Sequence, residues 1–145
     1  IFNNKNLKKM KKNWLVFLMM FLMVPMVNAQ ESSYQLSSHI LDISTGKPAP
    51  NVKIALQKRD AQNNWVLVEE KITDQNGRVK DFLKQEGKNN TGIYKLTFYT
   101  APYFKSLGQK SFYPFVEVVF ELADQEHYHV PITLSPYGYS TYRGN

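Results

Sequence analysis

The side chains best suited to chemistry are three histidines, His39, His127 and His129, and the sequence has no cysteine. His127 and His129 are separated by one residue, in the segment HYHVPITL at 127–134. A His-x-His pair with one distant histidine is a possible zinc set. Imidazoles with a pKa of about 6.5 also suit general acid–base catalysis, and they can equally be solvated surface groups. The residue types alone leave these three interpretations open.

Two arginines are further candidates. Arg78 follows a tight turn in TDQNGRV, and Arg143 stands almost at the end of the sequence, in YRGN. Either residue can bind an anion or simply be solvated, and the sequence pattern does not decide between these roles. A serine nucleophile is not indicated, because no Gly-x-Ser-x-Gly motif is present.

The histidine pair belongs to a predicted strand at 127–134. Alternate positions are apolar and are predicted to face the core: Tyr128, Val130, Ile132 and Leu134. The intervening side chains are then predicted to point outward: His127, His129, Pro131 and Thr133. Two outward residues of one strand lie roughly 7 Å apart, so both imidazoles are expected on one outer surface. Pro131 cannot donate a ladder hydrogen bond, which predicts an edge position or a bulge.

Period-two patterning also predicts the elements around this strand. Further strands are expected at 52–58, 65–72, 93–99 and 115–122, bounded by Gly, Asn, Asp and Pro. Two segments lack the pattern: 80–90, which ends in a polar loop, and 101–109, which predicts a short helix that stops at Gly108. The sequence therefore predicts an all-β fold, an antiparallel β-sandwich of two sheets with one short helix.

Net charge does not support a nucleic-acid partner. The formal charge is +6, but Lys5, Lys8, Lys9, Lys11 and Lys12 lie in the first 29 residues, where no acidic residue occurs. Residues 30–145 carry 13 basic and 12 acidic side chains, so they are electrically balanced. An electrostatic attraction to nucleic acid is therefore not expected.

The basic start has the layout of a secretory signal peptide. Two lysines precede an apolar stretch from Trp14 to Val27, and Ala29 is a small residue suited to cleavage. A membrane anchor is the alternative, but a span needs about 20 apolar residues. We expect cleavage after Ala29, with Met10 as the initiator and residues 1–9 lying upstream of it. The mature domain is then 30–145, and the lack of cysteine favours the periplasm.

Four segments together resemble a known family. They are LSSHILDISTGKPAPNVKIAL at 36–56, TDQNGRV at 73–79, FYPFVEVVF at 112–120 and HYHVPITLSPYGYSTYRGN at 127–145. In this order they resemble the 5-hydroxyisourate hydrolases, the transthyretin-related enzymes of urate breakdown. The segment LSPYGYST alone does not separate these enzymes from transthyretin, the hormone carrier, whereas His-Tyr-His and the terminal Tyr-Arg-Gly are typical of the hydrolases.

The resemblance implies site residues and an assembly. The family's catalytic positions fall on His39, Arg78 and His129, and its substrate-binding tail falls on Tyr142, Arg143, Gly144 and Asn145. The family ends in serine, so Asn145 departs from the pattern; His127 is expected to flank the site. The fold implied is transthyretin-like. The assembly implied is a homotetramer, a dimer of dimers, with sites where the dimers meet.

The activity that the resemblance implies is hydrolysis of the small-molecule substrate 5-hydroxyisourate. His129 is expected to activate water, and Arg78 to stabilise the oxyanion, with no metal or other cofactor. The alternative from a different functional class is a transthyretin-like carrier that binds a small ligand without converting it. A carrier has no need of His39, Arg78 and His129 together, whereas a hydrolase does.

Overall fold

The computed structural model describes residues 33–144, so the predicted signal peptide and Asn145 lie outside the described part of the chain. The elements within it are β1 (Tyr34–Asp42), β2 (Lys47–Pro48), β3 (Lys53–Arg59), β4 (Trp65–Ile72), β5 (Arg78–Lys84), β6 (Gly92–Phe98), α1 (Ala101–Ser106), β7 (Val116–Leu122), β8 (Tyr128–His129), β9 (Ile132–Ser135) and β10 (Gly138–Thr141). Within residues 33–144, no helix is long and apolar enough to cross a membrane.

The strands form two sheets, which confirms the predicted β-sandwich with one short helix. One sheet has the order β4-β3-β6-β7, and all its pairs are antiparallel. The other is built around β1, which pairs with β2, β5, β8 and β9, while β10 pairs with β9. Strand β1 runs parallel to β8 and β9. The long stretch of chain that separates them permits this pairing, which a short hairpin would not.

The core lies between the inner faces of the two sheets. The predicted alternation is confirmed where it was clearest: Tyr94, Leu96 and Phe98 of β6 are buried, and so are Val116, Val118 and Leu122 of β7. Helix α1 is also confirmed; it buries Phe104, and Gly108 at φ +69° ends it by donating its N–H to the carbonyl of Lys105.

The strand predicted at 127–134 is divided into β8 and β9. Its apolar positions are buried as expected, and His127 is exposed while His129 is partly exposed. The prediction that Pro131 points outward is wrong, because Pro131 is buried. Proline cannot donate to the ladder, so the strand is interrupted between His129 and Ile132, and the hydroxyl of Thr141 donates to the Pro131 carbonyl (2.9 Å).

Strand β5 extends into the segment 80–90, where no strand pattern was found. The expectation that 80–90 lacks a strand is wrong for its first five residues. The pairing of β1 with β5 shifts by one residue beside Ser37, which is the signature of a β-bulge. The bulge leaves the buried residues Val79 and Phe82 three positions apart, so the period-two signal is lost.

A tight turn sets the start of β5 against β1. Asp74 accepts the backbone N–H of Arg78 through Oδ1 (2.9 Å) and that of Gly77 through its carbonyl (2.9 Å). Gly77 has φ +66°, and its carbonyl accepts the N–H of Ile40 (2.9 Å). These bonds place Arg78 directly opposite His39 in the sheet.

Gly77→Ala should destabilise the protein more than Gly46→Ala does. Both glycines have similar positive φ angles, +66° and +69°, but a Cβ on Gly77 would lie 2.7 Å from the carbonyl oxygen of Ile40, whereas nothing lies within 4 Å at Gly46. The backbone strain of alanine at positive φ is common to both variants and cancels in the comparison. Overpacking at Gly77 should lower the free energy of unfolding by about 1–3 kcal/mol more. Urea unfolding of both variants measures the difference. Equal losses would show that the close approach to Ile40 does not matter.

Candidate active site

His39 and Arg78 lie side by side on the outer face of the β1 sheet. They are direct cross-strand partners in the antiparallel pair of β1 with β5. Direct partners in such a pair have Cβ atoms about 4.5–5.5 Å apart. On β1 the residues that face the core are Leu36, Ser38 and Ile40, so His39 points to the opposite face. Two of the predicted catalytic residues are therefore neighbours because of sheet register.

His129 joins this face through the parallel pairing of β1 with β8. Its register partner is Ser37, two residues before His39 on the same face of β1. The hydroxyl oxygen of Ser37 lies 2.8 Å from Nδ1 of His129 and 2.9 Å from Nε2 of His127. Sequence reasoning missed Ser37, because an isolated serine before a histidine carries no motif. Only the pairing of distant strands reveals its position.

Gly144 supports the imidazole of His129. Its backbone N–H donates to the carbonyl of His129 (2.9 Å), and the two residues form an isolated antiparallel bridge. A Cβ on Gly144 would lie 2.5 Å from Cδ2 of the His129 ring. The tail therefore needs glycine at this position, since any side chain would push against the imidazole.

The preceding tail residues lie elsewhere. The guanidinium of Arg143 lies 4.6 Å from the centre of the Tyr128 ring, a cation–π contact. Tyr128 points into the sandwich, whereas His129 points out of it. Tyr142 and Arg143 line a groove of about 370 Å³ at the open edge between the two sheets. The structure thus brings Gly144 to the histidines but directs Arg143 away from those of its own chain.

The site favours neutral histidines. Burial lowers the pKa of His129 below its usual value, and the positive charge of Arg78 lowers it further, with smaller contributions from His39 and His127. Burial and then Arg78 also lower the pKa of His39, although the backbone of Asn76 and the carboxylate of Asp74 oppose the effect. Both imidazoles are therefore unprotonated at neutral pH and can act as bases.

The arrangement suits acid–base chemistry better than metal binding. In the described range 33–144, no group of three or more His, Cys, Asp or Glu side chains is placed to hold a metal ion. Two neutral imidazoles, His39 and His129, lie beside one permanent cation, Arg78, and the imidazole of His127 is bonded to Ser37. Such a set can remove a proton from water and stabilise negative charge that develops on a nearby oxygen.

Comparison with known proteins identifies the family. The sequence profile of the HIUase/Transthyretin family matches residues 36–144. The chain belongs to this family. The resemblance found in the sequence is thereby confirmed. Among curated relatives, the 5-hydroxyisourate hydrolase of Salmonella dublin is 48% identical over 112 residues, which cover 76% of this chain and 80% of the relative.

Solved structures of two functional classes share the fold. The 5-hydroxyisourate hydrolase of Klebsiella pneumoniae matches with a TM-score of 0.65 and 34% identity, covering 76% of this chain and 98% of that chain. Sea bream transthyretin in complex with thyroxine matches with a TM-score of 0.70 and 28% identity, covering 76% and 94%. The fold is common to an enzyme and a carrier, so the site residues must distinguish the two functions.

Arg78→Gln should raise the pKa of both His39 and His129. Its charge disfavours the imidazolium form of each ring, so both should titrate below about 6.5 in the unchanged protein and closer to that value in the variant. NMR titration of the imidazole C–H signals measures both values. Lys105→Gln, which removes an exposed cation from α1, is the control and should leave them unchanged. Unchanged values in Arg78→Gln would contradict the arrangement described.

Proposed function

We propose that the chain hydrolyses 5-hydroxyisourate, a step of urate breakdown, to 2-oxo-4-hydroxy-4-carboxy-5-ureidoimidazoline. The observation that carries the proposal is the pair of imidazoles with lowered pKa, His39 and His129, beside Arg78 on one sheet face. The relatives named 5-hydroxyisourate hydrolase, at 48% and 34% identity, support the same substrate. The reaction is hydrolysis of an acyl C–N bond in the six-membered ring.

In the proposed mechanism His129 acts as the general base. Its Nδ1 is hydrogen-bonded to Ser37, so Nε2 is the nitrogen available to take a proton from water. The resulting hydroxide adds to the ring carbonyl, and Arg78 stabilises the oxyanion that forms. The C–N bond then breaks, and the leaving nitrogen receives the proton from His129. Water is divided between the new carboxyl group and the leaving nitrogen, so the atoms balance.

His39 and the tail complete the proposed site. His39 is neutral and adjacent to Arg78, so it can hold the attacking water or share the proton transfer. Gly144 donates its backbone N–H to the carbonyl of His129, and its lack of a side chain leaves room for the imidazole. The scheme requires no metal or other cofactor. The tail positions Tyr142, Arg143 and Asn145 remain predicted substrate-binding residues on the strength of the resemblance.

We also propose that the active form is a homotetramer, a dimer of dimers, with sites between the dimers. His39 and His129 are only partly buried in one chain, and Arg78 is exposed on the open face of a sheet. A second subunit over this face would exclude bulk water and position a small ring. The contact of Arg143 with Tyr128 leaves this outer face free. Sedimentation equilibrium, which measures the mass of the active particle, tests the proposal.

The proposed location is the periplasm, after cleavage of residues 1–29. The apolar segment that follows Lys11 and Lys12 supports export, and the lack of cysteine favours the periplasm over an extracellular location. N-terminal sequencing of protein recovered from a periplasmic fraction tests this proposal, because it reports both the compartment and the cleavage site.

The purified protein should accelerate the decay of freshly generated 5-hydroxyisourate above its spontaneous rate, followed by the ultraviolet band of the substrate. His129→Ala should lower kcat by about 10²–10⁴, the usual contribution of a general base. Lys105→Gln is the control for a surface change. A chelator should leave the rate unchanged, because the proposed mechanism uses no metal. Loss of activity that returned with added metal would favour the zinc interpretation.

The same assay separates the enzyme from the carrier. The similarity to thyroxine-bound transthyretin makes a carrier the second candidate. Binding of 5-hydroxyisourate without any acceleration of its decay would establish the carrier and contradict the hydrolase. Full activity in His129→Ala would be compatible with the proposed hydrolase activity and would show that a different group is the base.

A further inference from the structure

A continuous chain of hydrogen bonds runs from the candidate base to a backbone carbonyl. Nδ1 of His129 lies 2.8 Å from the hydroxyl oxygen of Ser37, and that oxygen lies 2.9 Å from Nε2 of His127. Nδ1 of His127 lies 2.9 Å from the carbonyl oxygen of Tyr34. Four groups are thus connected through three bonds, each of a length typical of a hydrogen bond.

When both imidazoles are neutral, the carbonyl at the end of the chain sets the direction of every bond. A carbonyl oxygen only accepts, so Nδ1 of His127 must carry a proton. In the neutral ring Nε2 of His127 is then an acceptor, and the hydroxyl of Ser37 donates to it. The Ser37 oxygen has used its one hydrogen and can only accept from Nδ1 of His129. The proton of neutral His129 therefore lies on Nδ1, and Nε2 has the free lone pair.

We propose that Ser37 and His127 are positioning residues that hold His129 in the tautomer with a basic Nε2. The inference rests on the proposed function, because it matters only if His129 is the base. Neutral imidazole in water favours the other tautomer, in which Nε2 carries the proton and cannot accept another. A base in that form must first exchange its proton, so fixing the tautomer increases the fraction of molecules ready to react.

The backbone around Ser37 makes this arrangement rigid. The Ser37 carbonyl accepts the N–H of Val130 (3.0 Å), and the hydroxyl of Ser38 donates to the carbonyl of Val130 (2.8 Å). Both bonds join β1 to Val130, the residue that follows His129, so β1 cannot slide past β8 without breaking them. The Ser37 hydroxyl is therefore held between the two imidazoles by the sheet itself.

A double-mutant cycle tests the connection between His127 and His129. His127→Ala removes the acceptor for the Ser37 hydroxyl, which can then donate to Nδ1 of His129 and favour the inactive tautomer. We expect kcat to fall by about tenfold, less than the loss of the base itself, with KM unchanged. Ser37→Ala should have a similar effect. In the Ser37→Ala background, His127→Ala should cause no further loss, because its route to His129 is already gone.

Two further variants serve as controls. Ser37→Thr retains a hydroxyl and should retain kcat, whereas Ser106→Ala removes a hydroxyl that donates to the carbonyl of Tyr103 within α1 and should have no effect. Circular dichroism and thermal unfolding check that each variant is folded.

The outcomes separate this inference from the proposed function. If the unchanged protein fails to accelerate 5-hydroxyisourate decay, the proposed function is wrong. The positioning role is wrong, and the proposed function stands, if the protein is active and His127→Ala behaves in any of three ways. These are an equal loss of kcat with and without the Ser37→Ala substitution, a raised KM in place of a lowered kcat, and no change in either constant.

Discussion

The parallel pairing of β1 with β8 places Ser37 beside His129, and the rest of the site is arranged around that pair. The next outward residue of β1 is His39, whose partner on β5 is Arg78. The register of one central strand therefore brings together residues from three distant parts of the sequence. A shift of one residue in either pairing would turn these side chains toward the core, so the site is as strongly specified as the packing of the sandwich.

Electrostatics and hydrogen bonding act on the same imidazole in complementary ways. Partial burial and the charge of Arg78 lower the pKa of His129, which keeps the ring neutral. The bond to Ser37 then determines which nitrogen of the neutral ring carries the proton. A general base needs both conditions, since a protonated ring or the wrong tautomer cannot accept a proton from water. Gly144 adds the steric support that keeps the ring in position.

The sequence predicted β6, β7 and the strands around His129, whose buried faces are apolar at alternate positions, and missed β1, whose buried face is not. The alternation around His129 was clear because every inward residue from Tyr128 to Leu134 is apolar. Strand β1 gave no such signal, since its inward face includes the buried polar residues Ser38 and Asp42. The position of Pro131 and the start of β5 depend on a local turn and a bulge, which period-two reasoning does not detect.

Only part of the site could be predicted from the sequence. His39, Arg78 and His129 were identified by resemblance, and the structure places them on one face of one sheet. Ser37 and the role of His127 depend on contacts across about ninety residues of sequence. No local motif encodes such contacts. Arg143 lies in a recognisable tail, yet alternation along that tail directs its side chain toward Tyr128 and away from His129.

The proposed role of His129 as the general base depends most directly on its tautomer. Nitrogen-15 NMR of the imidazole, recorded above the pKa of His129, distinguishes a protonated nitrogen from one with a free lone pair. We predict that Nδ1 of His129 carries the proton and that Nε2 is free. A spectrum in which Nε2 is protonated and Nδ1 is free would contradict it, because His129 could not then act as the base facing the substrate.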